Sequence, residues 1–285
     1  MKDIVIGCIT GYDFDKIKPW VNSLDTCGFD GVKAMICYDI DYETVEELTK
    51  RKYTILAFNR DEENKKFFYG KENFSIVVDR FLHLWYFLKK FEGEYRYVVT
   101  TDVKDVIFQT DPIKWLEQNI GDKQINVACE SIHYRNETWG KNNLIKSFGP
   151  YLYEHCEKNL IYNAGTISGK FDTMLDLFLN VFMLCQGTTP HVEGGGGPDQ
   201  AALNILLNMK SYKSITNFAM SEDGYAAQLG TTGPQVQDKF GEFLVEKCPI
   251  MKDDLVCTSE GVPFSIVHQY DRVPEWRDVI GKKYE

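Results

Sequence analysis

Residues 95–112 read YRYVVTTDVKDVIFQTDP. From Tyr95 to Thr100 the run is β-branched and aromatic apart from Arg96, the composition of a strand in the middle of a sheet. It leads without a break into Thr101-Asp102-Val103-Lys104-Asp105. Ligands of open α/β sheets gather at the carboxyl ends of the strands, so carboxylates placed there mark where chemistry is expected. Asp102 and Asp105, in a turn, can converge on one hard cation such as Mg²⁺ or Mn²⁺, which takes oxygen ligands. The same D-x-x-D also describes a capped, solvated turn with no ligand at all. Val106 to Phe108 then resumes the apolar pattern, and Pro112 suits the first turn of a helix through Trp115 and Leu116.

Towards the N-terminus, Ile4 to Ile9 is a continuous apolar strand closed by Thr10-Gly11-Tyr12. Ile17, Trp20, Val21 and Leu24 share a helical face, and Lys33 to Tyr38 is a second strand. This β-α-β opening belongs to a parallel sheet covered by helices. A short helix with Val45 and Leu48, a third strand over Tyr53 to Ala57 and a long helix from Phe74 to Phe91 complete the first half. Downstream, Asn126 to Glu130 reads as a strand and residues 131–160 as a loop-and-helix insertion over a site. Asn163 to Ser168 reads as a strand or turn, Phe171 to Cys185 and Asp199 to Met209 as helices. A tail of short strands ends in Phe264 to Tyr270. The expected class is α/β, in one domain spanning 1–285.

A chain of 285 residues buries about three quarters of its extended surface, a core that needs no staples. The formal charge of -10 disfavours nonspecific binding to nucleic acid or anionic membrane. The apolar part of MKDIVIGCITGY is too short for a signal peptide or membrane anchor. No C-x-x-C occurs among the eight cysteines, and several sit in apolar runs, so a reduced, cytoplasmic protein is expected. Sequons at Asn73 and Asn136 carry no meaning without a secretory route.

The stretch Val98 to Pro112 resembles the metal-binding segment of GT-A fold glycosyltransferases, which transfer a sugar from a nucleotide diphosphate donor. Asp105 matches the second aspartate of their D-x-D through the apolar run and D-P that follow. Val103 stands at the first position, with Asp102 one residue earlier, as in relatives carrying D-V-x-D-V. Further segments carry the same resemblance in the same order. Ile6 to Tyr12 looks like the first strand and nucleotide loop, and Asp79-Arg80 like the basic position near the donor phosphates. Tyr162 to Gly169 is similar to the N-[AS]-G strand beside the donor sugar, and Gly197 to Asn204 to the D-Q-x-x-[LF]-N helix start. Val267 to Arg272 resembles the histidine segment that completes the metal and diphosphate site.

The resemblance implies a GT-A type sheet, mixed and mostly parallel, flanked by helices. It implies a nucleotide-binding half at 1–112, with acceptor binding and completion of the metal site at 113–285. Mn²⁺ or Mg²⁺ would be held by Asp102, Asp105 and His268. A UDP-sugar would lie along Thr10, Gly11, Tyr12, Arg80, Asp102, Asn163, Gly165 and Gln200, and the acceptor would be a glycan or glycoprotein. Short soluble chains of this kind resemble the capsid-glycan glycosyltransferases of large algal viruses and related microbial enzymes. In that setting xylose is a plausible donor sugar and the host cytoplasm the place of assembly.

The residues admit plainer readings as well. Tyr12 suits a base-stacking surface or the core, and His268 a metal ligand or a buried structural histidine. Gln200 and Asn204, four apart on a helix, can read sugar hydroxyls. In ESIHYRNETWGKNN (130–143), Glu130 and Trp139 combine a polar donor-acceptor set with a ring face, which suits an acceptor sugar. Gly194 to Gly197 reads as a hinge or a passive linker. Asp199 opens a helix whose positive end favours an anion. It suits a general base in an inverting reaction, the favoured reading, a stabilising carboxylate in a retaining one, or a helix cap. A nucleotidyltransferase would carry a basic glycine-rich loop where Gly11-Tyr12-Asp13 stands. A non-catalytic sugar-binding protein would have no use for Asp102, Asp105, Asp199 and His268 together.

Overall fold

The computed structural model describes residues 1–188 and 196–285. The chain opens with β1 (Lys2–Ile9), α1 (Phe14–Thr26), β2 (Val32–Cys37), β3 (Ile40–Asp41), α2 (Tyr42–Lys50) and β4 (Thr54–Ala57). Then come β5 (Asn59–Asp61), β6 (Lys66–Phe68), α3 (Ile76–Lys89), β7 (Tyr95–Thr101), β8 (Val106–Phe108) and α4 (Pro112–Asn119). The second half holds β9 (Ile125–His133), α5 (Thr138–Phe148), α6 (Pro150–Cys156), β10 (Leu160–Lys170), α7 (Phe171–Cys185), α8 (Asp199–Asn208) and β11 (Thr216–Ala219). Last come β12 (Ala226–Gln228), the β13 (Ile250–Lys252) and β14 (Leu255–Cys257) hairpin, β15 (Ile266–His268) and a closing helix, Pro274–Tyr284.

Seven strands form the central sheet in the order β11-β9-β10-β7-β1-β2-β4. Its pairings are parallel except where β10 runs antiparallel between β7 and β9. The strand expected at the centre, β7, is indeed flanked on both sides. Alternate residues of β1 face two cores. Ile4 and Ile6 pack with Phe81 and Leu84 of α3 and Phe178 of α7, whereas Val5 and Ile9 pack with Ile17 and Trp20 of α1. Asp13 caps α1 by accepting from Lys16 N at 3.0 Å, and Asp111 caps α4, which begins on Pro112 as expected. Trp20 Nε1 donates to Thr101 Oγ1 at 2.8 Å, fastening α1 to the end of β7 just before Asp102.

A second sheet, β12-β15-β8, places the site. Its register sets His268 opposite both Val106 and Gln228. A histidine more than 160 residues downstream is thereby delivered beside Asp105.

The strand read over Asn126 to Glu130 runs on to His133, so Ser131 lies in β9 and not in the insertion, and Glu130 and Ser131 are both buried. Residues 131–160 are largely helical, in α5 and α6. The strand or turn at Asn163 to Ser168 belongs to the eleven-residue β10, which is paired on both edges. All eight cysteines are free thiols, six of them buried. No helix among the described residues is long and apolar enough to cross a membrane.

Candidate active site

Asp102, Asp105 and His268 each offer one ligand atom, and these atoms lie within 4.8 Å of one another. His268 Nε2 is 3.5 Å from Asp102 Oδ2 and 3.8 Å from Asp105 Oδ1. The hydrogen-bond network assigns the imidazole tautomer. Gln228 Nε2 donates to Thr166 Oγ1 at 2.7 Å, so Gln228 Oε1 faces His268 and accepts from Nδ1 at 2.7 Å. Nε2 is left directed at the two carboxylates. An outer amide orienting a ligand imidazole in this way is a common feature of metal centres. Two carboxylate oxygens and one imidazole nitrogen are a donor set that could hold a divalent metal ion.

Gly165 makes the cluster possible. A β-carbon there would fall 2.6 Å from His268 Cε1, 2.7 Å from Asp102 Oδ2 and 2.9 Å from Asn163 Oδ1. The glycine carbonyl accepts from Asp102 N at 2.9 Å and thereby holds the turn after β7 against β10.

Arg80, on α3, is 9% exposed and binds two carboxylates. It donates to Asp102 Oδ1, to Asp199 Oδ2 at 3.0 Å and to Ala164 O at 3.2 Å. Its Nε–H is buried without a partner among the described residues. Burial works against ionising Asp102, but Arg80 and His268 prevail and hold its carboxyl well below the usual range. Asp105 and Asp199 are pushed up, in both cases chiefly by burial. Burial also opposes charge on His268, yet Asp105 and Asp102 raise its pKa. Asp79 accepts from Ser75 N at 2.9 Å and pairs with Lys71, closing the start of α3.

A cavity of about 460 Å³ opens beside the cluster, lined by Arg80, Asp102, Glu130, Trp139, Asn163, Gly165, Asp199, Gln200 and His268. Nine of the residues singled out in the sequence are therefore brought together. The nucleotide-loop residues lie apart. Gly11 and Tyr12 border a hollow of about 340 Å³ with Lys16 and Asp39, and Thr10 borders one of about 350 Å³ with Tyr38 and Tyr69. Burial first, and then the charges of Asp105, Asp102 and Asp271, raise the pKa of Tyr12.

Asn204 takes a different role from the one expected. Its amide donates to Tyr162 O at 2.7 Å and accepts from Tyr162 N at 2.9 Å, pinning α8 to β10. Gly194, Gly195 and His191 lie outside the described residues; Gly196 has a φ of 83° and packs beside the Trp139 ring. Gln269 and Arg272, of the Val267 to Arg272 segment, also line the cavity, as do Lys239 and Phe240, which sequence reading missed because they stand in an irregular stretch with no motif.

The structure is similar to that of the apo form of the glycosyltransferase GlyE from Streptococcus pneumoniae TIGR4, with a TM-score of 0.50 and 15% identity. The match covers 94% of this chain and 54% of that one, so the chain spans about half the length of GlyE. It is also similar to an active-site mutant of LgtC, with a TM-score of 0.51 and 12% identity, over 98% of this chain and 95% of that one. The fold is that of these glycosyltransferases. No family model matches the sequence, and neither does any curated protein.

Proposed function

We propose that the protein is a metal-dependent glycosyltransferase that moves a sugar from a UDP-sugar to a hydroxyl of a glycan or glycoprotein acceptor. The observation that carries this reading is the Asp102–Asp105–His268 cluster, with Nε2 oriented by Gln228, at the edge of a cavity large enough for a sugar. Bound there, Mn²⁺ or Mg²⁺ would stabilise the negative charge that grows on a diphosphate leaving group. Tyr12 offers a ring face for the base on one side of the cluster. Trp139 and Phe240 offer apolar faces for an acceptor on the other.

The ion pair of Asp199 with Arg80 suits the holding of donor-sugar hydroxyls more than the taking of a proton, together with the Arg80 Nε–H, which has no partner among the described residues. In this reading residues 1–112 serve the nucleotide, and 113–285 serve the acceptor and complete the metal site. The test is release of nucleotide diphosphate from a panel of nucleotide sugars, UDP-xylose among them, with Mn²⁺ and simple methyl glycosides as acceptors. Turnover confined to UDP-sugars supports the proposal. No release from any donor, with or without acceptor, would overturn it.

A further inference from the structure

Glu130 lines the cavity, is 7% exposed, and among the described residues is bound through one oxygen only. Asn163 Nδ2 donates to its Oε1 at 2.7 Å and Gln200 Nε2 donates to the same atom at 3.1 Å. Neither amide is free to turn. Asn163 Oδ1 accepts from Gly165 N at 2.6 Å, and Gln200 Oε1 accepts from Ala164 N at 3.3 Å. Two backbone N–H groups of β10 thus fix the amide orientations, and the amides fix Oε1 as a double acceptor. Oε2 is the oxygen left for a ligand.

The backbone gives a second, independent sign that this carboxyl is aimed. Ser131, the next residue, has a φ of 55°, in the left-handed region that strains a non-glycine residue. Three contacts hold it there: Ser131 N on Cys129 Sγ at 3.2 Å, Ser131 Oγ on Glu246 Oε2 at 2.8 Å, and Val245 N on Ser131 O at 2.9 Å. Glu246 also accepts from Ser221 N and Glu222 N, so it ties the kink to the 221–223 turn. Strain clamped from three segments beside a cavity residue is characteristic of a functional position.

We propose that Glu130 is the proton acceptor for the incoming hydroxyl, a role that rests on the glycosyltransferase reading and deepens it. The acceptor O–H bond breaks and its proton passes to Glu130 Oε2. The acceptor oxygen bonds to the anomeric carbon, and the anomeric C–O bond breaks with its electron pair leaving on the nucleotide diphosphate. This is a single displacement and inverts the anomeric centre. Asn163 lies between Glu130, which it meets through Nδ2, and Gly165 of the metal cluster, whose N–H donates to Asn163 Oδ1. Burial first, and then Glu137 at the cap of α5, raise the pKa of Glu130, while Asn163, His268 and Gln200 lower it; Tyr134 and Cys129 are further titratable neighbours. A raised value suits a group that must hold a proton after taking it.

The experiment compares wild type with Glu130→Gln, using Mn²⁺, UDP and whichever UDP-sugar and methyl glycoside the wild type turns over. Glutamine keeps an oxygen for Asn163 and Gln200, so the network survives. The expected result is a fall in kcat of about 100-fold or more with the UDP dissociation constant within twofold of wild type, and an inverted product by NMR. The rise of wild-type kcat/KM with pH should be absent from the residual activity. Near-wild-type kcat, a retained anomer, or a loss confined to UDP affinity would each overturn the role. Should Glu130→Gln fail to fold, Glu130→Asp decides: unchanged turnover overturns the role, and a partial loss at unchanged UDP affinity supports it. A wild type inactive on every donor would refute the glycosyltransferase reading itself, a distinguishable outcome.

Discussion

Replacing Gly165 by alanine isolates the geometry of the metal cluster. The added β-carbon meets His268 Cε1, Asp102 Oδ2 and Asn163 Oδ1 at 2.6, 2.7 and 2.9 Å, all well inside van der Waals contact. None of these neighbours yields easily. His268 is tied to Gln228, Asp102 to Arg80 and Asn163 to Glu130. Overpacking of this kind costs about 1–3 kcal/mol, and two of the displaced groups are the proposed ligands. Since about 1.4 kcal/mol is tenfold in affinity, Mn²⁺-dependent UDP binding should weaken by roughly tenfold or more. Urea denaturation should show the stability loss and calorimetry the affinity loss. Gly121→Ala is the control: its φ is +57° with open space around it, so it should cost about 1 kcal/mol through the backbone and leave UDP binding unchanged. Wild-type Mn²⁺–UDP affinity in a folded Gly165→Ala protein would refute the reasoning.

Arg80→Met should destabilise by about 3 kcal/mol in urea, because two carboxylates, Asp102 and Asp199, lose their shared cation; an unchanged midpoint would mean the triad contributes nothing. Asn204→Ala orphans Tyr162 N and O and should cost about 2 kcal/mol or more, read from the same denaturation curves, while UDP affinity stays at the wild-type value. Glu130→Gln should raise the melting temperature at neutral pH. The carboxyl holds its proton more tightly folded than unfolded, so its favourable contribution is complete below the unfolded value of about 4.3 and is lost as pH rises through the folded one. The variant's advantage should therefore grow from pH 4 upward; a constant difference across pH would contradict the burial of that charge.

What the sequence made legible was local. The β-α-β opening and β7 declare themselves because continuous apolar runs and a helical stripe need no partner to be recognised. The bounds of the helices in 131–160 did not, since α5 buries only Gly140, Asn143 and Leu144 and so carries no apolar stripe. The run of β9 past Glu130 was hidden for a related reason: Glu130 and Ser131 are polar yet buried, and what makes that tolerable comes from Asn163, Gln200 and Glu246, distant in the chain. Gln228 was invisible because its contact with His268 follows from the register of β12 on β15. The resemblance to glycosyltransferases brought Asp102, Asp105, Asp199 and His268 forward. It did not reveal that Arg80 joins Asp102 to Asp199, or that Asn204 is committed to the backbone.

The most direct test of the central claim is calorimetric titration of UDP into wild type and Asp105→Asn, each in Mn²⁺ and in EDTA. The expected result is wild-type binding at least tenfold tighter with Mn²⁺, and no such gain in the variant. Equal affinity with and without Mn²⁺ in the wild type would contradict a metal centre at Asp102, Asp105 and His268.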